Sequence, residues 1–176
     1  MSVKRAQEDL LVISAQLGDE RAFEGLFKIH NPALLGFAYH LCGDQTLAAD
    51  AVQDAWITLS KSLRKLKDPR GFRTWAYKTV RWRVVDRARK HKLQTTSLEG
   101  LGDVSDRSGE PDATPDQIAG RVGALDPADR QLLALFYLDE LKLSEIAGVL
   151  DVPLGTVKSR LNRARVRLRQ QNEGED

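Results

Sequence analysis

Apolar side chains recur at helical spacing along almost the whole of this 176-residue chain, and no alternating strand pattern of useful length interrupts them. An all-α fold is therefore predicted. Leu10, Ile13, Ser14 and Leu17 outline a short first helix that stops at Gly18. Asp19 is placed to cap a second, with Phe23, Leu26, Phe27 and His30 on one face. Pro32 either kinks that helix or starts the next, which runs to Leu41 before Gly43. Asp44 or Thr46 can cap a further helix, whose Val52, Ala55, Trp56, Leu59 and Leu63 form a stripe that faces a core. Pro69 and Gly71 make Leu66–Phe72 a loop, and the helical pattern resumes from Arg73 to about Lys92. Trp75 fits the apolar face of this last helix, with Thr79 and Trp82 nearby.

Composition changes at about Leu93. Residues 94–113 are Thr, Ser, Gly, Asp and Pro with few apolar side chains, too few to fold alone, so they read as a flexible linker. Two small helical domains follow from this, residues 1–92 and 114–170, with an acidic linker over 93–113 and a polar tail over 171–176. Thr114-Pro-Asp-Gln117 has the form of a capping box, and Ile118, Val122 and Leu125 continue it as an apolar face. Asp126-Pro127 repeats the start signal ahead of Leu132, Leu135 and Phe136.

The final stretch carries the sharpest pattern. Leu143–Leu150 reads as a short helix with Ser144 as its cap, Asp151–Leu154 as a turn, and Gly155–Leu168 as a second helix. Val157, Leu161, Ala164 and Leu168 share one face at the helical repeat, while Ser159, Asn162 and Arg163 lie opposite with Lys158 to the side. Helix, tight turn and second helix with a basic outer face make a helix-turn-helix, whose second helix enters the major groove. An ordinary helical hairpin is the plain alternative, but Leu154–Gln170 holds six basic and no acidic residues, which favours DNA.

The formal net charge of +2 conceals strong segregation. Residues 61–92 carry 13 basic and 2 acidic side chains, whereas residues 1–60 carry 4 and 8. Two basic blocks separated by acidic stretches suit two contacts on a polyanion. No apolar run is long enough for a membrane span and no signal-peptide core follows Met1, so a cytoplasmic protein is expected. The lone Cys42 forms no internal disulfide. His30, His40 and His91 lack ligand spacing, so they read as packing or surface residues, and neither metal nor cofactor is expected. No nucleophile–base pair or phosphate-cradling glycine loop points to an enzyme.

On these motifs the chain resembles the bacterial sigma-70 family, in particular its extracytoplasmic-function (ECF) group. The first half carries Gly18-Asp-Glu-Arg-Ala-Phe23, Ala48-Ala-Asp-Ala-Val-Gln-Asp54, Phe72-Arg-Thr-Trp-Ala-Tyr77 and Asp86-Arg-Ala-Arg89. The second carries Leu125-Asp-Pro, Glu145-Ile-Ala147, Gly155-Thr-Val-Lys-Ser-Arg160 and Arg163-Ala-Arg165. The resemblance implies a non-catalytic subunit that brings core RNA polymerase to promoters. It implies a promoter-melting region 2 in front, a −35-reading region 4 helix-turn-helix behind, and no domain between. Asp50, Gln53 and Asp54 match the polymerase-binding helix and share one face of it, opposite Val52 and Trp56. A carboxylate-and-amide patch of this kind suits the basic clamp helices of the largest polymerase subunit.

The loop and helix that follow match the −10 reader, where capture of unstacked bases offsets the cost of opening the duplex. Lys61, Arg64, Lys65 and Lys67 are expected on phosphates near the opening point. Arg70, Arg73, Arg81, Arg83, Arg87 and Arg89 are expected on the duplex or the released strand. Thr156, Lys158, Ser159, Arg160, Asn162 and Arg163 are the expected −35 contacts. The chain departs from the family pattern at Trp82, where many members carry Asn, and at Arg83, where an apolar residue is usual. Glu99, Asp103, Asp106, Glu110 and Asp112 suit either a linker lying near nascent RNA or a solvated tether. An anti-sigma factor is an expected partner, and the free protein is expected to be monomeric. The competing reading is an autonomous helix-turn-helix regulator, which would bind an inverted repeat tightly without polymerase.

Overall fold

The computed structural model describes residues 3–96 and 126–173, which contain helices and no strand. The elements are α1 (Val3–Gln16), α2 (Glu20–Cys42), α3 (Gln45–Ser62), α4 (Phe72–Thr96), α5 (Pro127–Leu133), α6 (Leu143–Leu150) and α7 (Leu154–Glu173). They divide into two compact units, the first built from α1–α4 and the second mainly from α5–α7. The capping box at Thr114–Gln117, the face of Ile118, Val122 and Leu125, and the acidic linker positions lie outside the described residues.

In the first unit, α1 ends as the chain turns through Gly18, whose φ of 101° is open to glycine at little cost. Asp19 then caps α2, its Oδ1 accepting from the N–H groups of Arg21 (2.9 Å) and Ala22 (3.3 Å). α2 runs unbroken through Pro32, so this proline does not begin another helix. Asp44, not Thr46, caps α3, accepting from the Leu47 N–H at 2.8 Å. The stripe of Val52, Ala55, Trp56, Leu59 and Leu63 is buried as the periodicity requires.

α1 presents a different row from the expected one. Val12 is buried, while Leu10, Ile13 and Leu17 are exposed. Leu11, half-buried, packs over Gly25 of α2, where a Cβ would stand in ordinary contact at 3.5 Å from Leu11 Cδ2. The Gln16 side-chain amide donates to the carbonyls of Leu63 (3.0 Å) and Leu66 (2.7 Å), satisfying acceptors left over beyond the end of α3. On α2 the buried residues are Ala22, Leu26, His30, Leu34, Phe37 and Ala38, with Phe23 half-buried and Phe27 on the rim.

The loop expected over Leu66–Phe72 contains a single tight turn, Pro69–Gly71, started by Asp68. α4 then turns Phe72, Ala76, Tyr77, Val80 and Val84 inward and continues to Thr96. Trp75 is half-buried against the Phe72 ring. Trp82 lies two turns on along the same side of α4, away from the inward row of Tyr77, Val80 and Val84, and is 57% exposed.

In the second unit Asp126 caps α5 through the Ala128 N–H at 2.8 Å. The helix widens into a π turn over Ala134–Leu138, where the Asp139 N–H reaches the Ala134 carbonyl. Leu132 and Leu135 are buried and Phe136 is half-buried. Ser144 is not the cap of α6. The helix starts at Leu143, its N-cap position falls on Lys142, and Glu145 reaches back to accept from the Lys142 N–H at 2.6 Å.

Candidate nucleic-acid and partner interfaces

α6 and α7 form the helix-turn-helix through local hydrogen bonding. Asp151 takes the left-handed conformation at φ 58°, ψ 43°, one of the few side-chain types that tolerates it. The Val152 N–H then donates to the Ala147 carbonyl at 3.1 Å, closing a Schellman turn. The Pro153 carbonyl accepts from Thr156 and Val157 to begin α7. Ile146 and Val149 of α6 are buried, as are Val157, Leu161 and Ala164 of α7, which packs on α5, so the opposite face of α7 is turned outward. That face presents Lys158, Ser159, Asn162 and Arg163 exposed, with Thr156 and Arg160 half-buried at its flanks. Lys158, Arg160 and Arg163 have no ion-pair partner among the described residues.

Two other arginines of α7 serve the fold. Arg165 donates to the Tyr137 hydroxyl at 2.9 Å and lies over the Phe136 ring at 5.2 Å. Arg167 pairs with the buried Asp129 of α5 at 3.1 Å.

In the first unit Asp50, Gln53 and Asp54 lie on one face of α3, with Gln53 exposed and the two carboxylates half-buried. Ile57 and Lys61 continue the same face at the helical repeat, and Ile57 is 46% exposed. Beside it runs an apolar groove between α2 and α3, lined by Phe23, Phe27, Leu35, Val52, Gln53 and Trp56. Trp56 is fixed there by the Phe23 and Phe27 rings and by its Nε1–H donating to Asn31 Oδ1 at 3.0 Å. The groove was not anticipated from sequence. The available signal was Ile57, an apolar residue on an otherwise polar face.

The basic segment separates into two groups. Lys61, Arg64, Lys65, Lys67, Arg70 and Arg89 are exposed, and Arg73 and Arg81 half-buried. Arg70 is forked onto Asp68, and this hydrogen bonding holds the Asp68 carboxyl below its usual range. Arg83 and Arg87 instead turn toward α3. The Arg83 Nη2 donates to Thr58 Oγ1 at 2.6 Å, and its guanidinium carbon stands 4.7 Å from the centre of the exposed Trp82 ring. Arg87 bridges Asp54 at 2.8 Å and Asp50 at 3.1 Å, joining a residue expected on DNA to two expected on polymerase.

Among the described residues no cluster of His, Cys, Asp or Glu could hold a metal ion. No helix among them is long and apolar enough to cross a membrane. His30 is buried with no hydrogen bond to Nε2 among the described residues, and burial, aided by the Arg73 charge, pushes its pKa down to about 4.

A helical bundle with a basic fourth helix, joined in one chain to a helix-turn-helix, is the make-up of a promoter-binding transcription factor. Residues 26–94 match Sigma-70 region 2, and residues 116–168 match Sigma-70 region 4. The chain belongs to the sigma-70 family: it is an ECF sigma factor, a non-enzymatic initiation factor that directs promoter recognition by RNA polymerase. The ECF RNA polymerase sigma-E factor of Escherichia coli K12 is 30% identical over 175 residues, which cover 90% of either chain. The ECF RNA polymerase sigma factor SigW of Bacillus subtilis is 29% identical over 169 residues, 88% of this chain and 90% of that one. A solved structure of CnrH in complex with the cytosolic domain of CnrY shares the fold with a TM-score of 0.69 at 24% identity, over 97% of this chain and 99% of that one.

Proposed function

We propose that this sigma factor reads a −35 element through the outer face of α7, with Lys158, Ser159, Asn162 and Arg163 as principal contacts flanked by Thr156 and Arg160. The observation that carries this reading is the division of α7: Val157, Leu161 and Ala164 are sealed inward while four hydrogen-bonding or cationic side chains stand exposed on the other side. Such side chains can reach base edges and phosphates once a helix enters the major groove.

The −10 element is engaged by the segment from Lys61 to Arg89, where Lys61, Arg64, Lys65, Lys67, Arg70 and Arg89 offer exposed cations. Core polymerase docks on α3 through Asp50, Gln53 and Asp54, with the adjoining groove at Phe27 and Ile57 adding apolar contact. A basic, amphipathic helical surface is the partner chemistry this combination suits. The functional division follows residues 1–92 for polymerase and −10 contact, 93–113 as linker, and 114–170 for −35 contact. Family membership supports two further proposals: an anti-sigma factor as the regulatory partner, and a cytoplasmic monomer as the free state.

In vitro transcription with purified core polymerase over a genomic DNA library tests the whole reading. Specific transcripts that share a −35 and a −10 motif are expected only when the protein is added. Tight binding to an inverted repeat in the absence of polymerase would instead establish an autonomous regulator.

A further inference from the structure

We propose that Arg87 is a positioning residue for the polymerase-docking face of α3 and not a DNA contact. The proposal rests on the reading of Asp50, Gln53 and Asp54 as that face. Asp50 and Asp54 stand one helical turn apart, where two like charges repel and, unrestrained, sample several rotamers. Arg87 reaches across from α4 and holds both. Its Nε donates to Asp54 Oδ2 at 2.8 Å and its Nη1 to Asp50 Oδ2 at 3.1 Å. Each carboxylate therefore keeps its Oδ1 without a hydrogen-bond partner among the described residues, and a carboxylate oxygen has further acceptor capacity.

The Arg87 side chain is 35% exposed, less than the 48% of Asp50 and level with the 33% of Asp54, so the two acids stand at the surface beside it and not behind it. A phosphate would have to reach the remaining donors of Arg87 beside two carboxylates that repel it. A basic partner can add at the open oxygens while Arg87 stays in place. It then meets two side chains already ordered, which lowers the entropic cost of docking. Lysine cannot reproduce this, because one ammonium lacks the planar fork that spans the pair.

The test is equilibrium binding of full-length protein to purified core polymerase, with R87A, R87K and the double variant D50N/D54N. R87A is expected to weaken binding about tenfold. R87K is expected to recover only a minor part, and R87A to add no further loss in the D50N/D54N background, since partners in one network are not additive. At saturating core polymerase, the salt dependence of promoter binding is expected to match wild type. R87K also covers the case in which R87A does not fold.

Several results overturn the proposal: wild-type or tighter core binding by R87A, full recovery by R87K, or a salt slope reduced by about 0.9, the mark of a lost phosphate contact. If D50N/D54N leaves core affinity unchanged, the docking face itself is misassigned and the role of Arg87 falls with it. A loss in D50N/D54N that R87A does not share refutes the Arg87 role alone.

Discussion

Lowering the pH from 7.5 to 4.5 should loosen the first unit through one residue, His30. Its side chain is 5% exposed, packed against Phe72, with Glu8 3.9 Å from Nε2 and Arg73 close enough to oppose a positive charge. The Glu8 approach is beyond hydrogen-bond reach, so burial prevails and the imidazole falls from its ordinary 6.5 to about 4. Between those values the unfolded chain binds a proton that the folded unit refuses. Stability is therefore intact above pH 6.5 and declines as the pH drops toward 4. The full shift corresponds to about 3 kcal/mol, at a limiting slope of about 1.4 kcal/mol per pH unit. That loss is a large part of the stability of a small domain.

Urea unfolding followed by tryptophan fluorescence measures it cleanly, because Trp56, Trp75 and Trp82 are the only tryptophans in the chain and all lie in the first unit. His30→Leu, which fills similar space without a titratable nitrogen, is expected to flatten the slope between pH 6.5 and 4.5. An H30L variant with the wild-type pH dependence would refute the reasoning and assign the slope to carboxylates.

In the second unit, Leu161 is 4% exposed in the buried row of α7, and Leu161→Ala is expected to cost about 3 kcal/mol there. Far-UV circular dichroism should show the loss while the tryptophan transition stays unmoved. Lys158→Ala and Arg163→Ala should each weaken −35-dependent initiation by about 1–3 kcal/mol where the side chain meets a base edge. A phosphate contact at either position would lower the salt slope by about 0.9. Promoter-binding assays across a salt series distinguish the two, and a defect confined to strand opening would contradict their placement.

The helix-turn-helix was legible because its determinants are neighbours in sequence. Val157, Leu161 and Ala164 lie within two turns, so the helical repeat alone assigns the buried face of α7 and leaves Ser159, Asn162 and Arg163 opposite. Asp19 and Asp126 are caps by the same local logic, each bonding an N–H two residues ahead. Ser144 shows where that logic branches. A hydroxyl at one position and a carboxylate at the next can both satisfy free N–H groups, and in the fold it is Glu145 that accepts, from the Lys142 N–H.

Helical character, the two-part division of charge and the family motifs are properties of short stretches of chain, and they could be read before any folding was considered. Which row of α1 turns inward could not. Leu10–Ile13–Leu17 and Leu11–Val12 are adjacent and similarly apolar, and only the packing of α1 on α2 chose between them. The destination of Arg87 is the same kind of question. Along the chain it is one cation in a basic block, as suited to a phosphate as its neighbours. Only when α3 and α4 pack does it come within 3.1 Å of two carboxylates 33 and 37 residues away, because a charge is paired by distance in space and not by position in sequence.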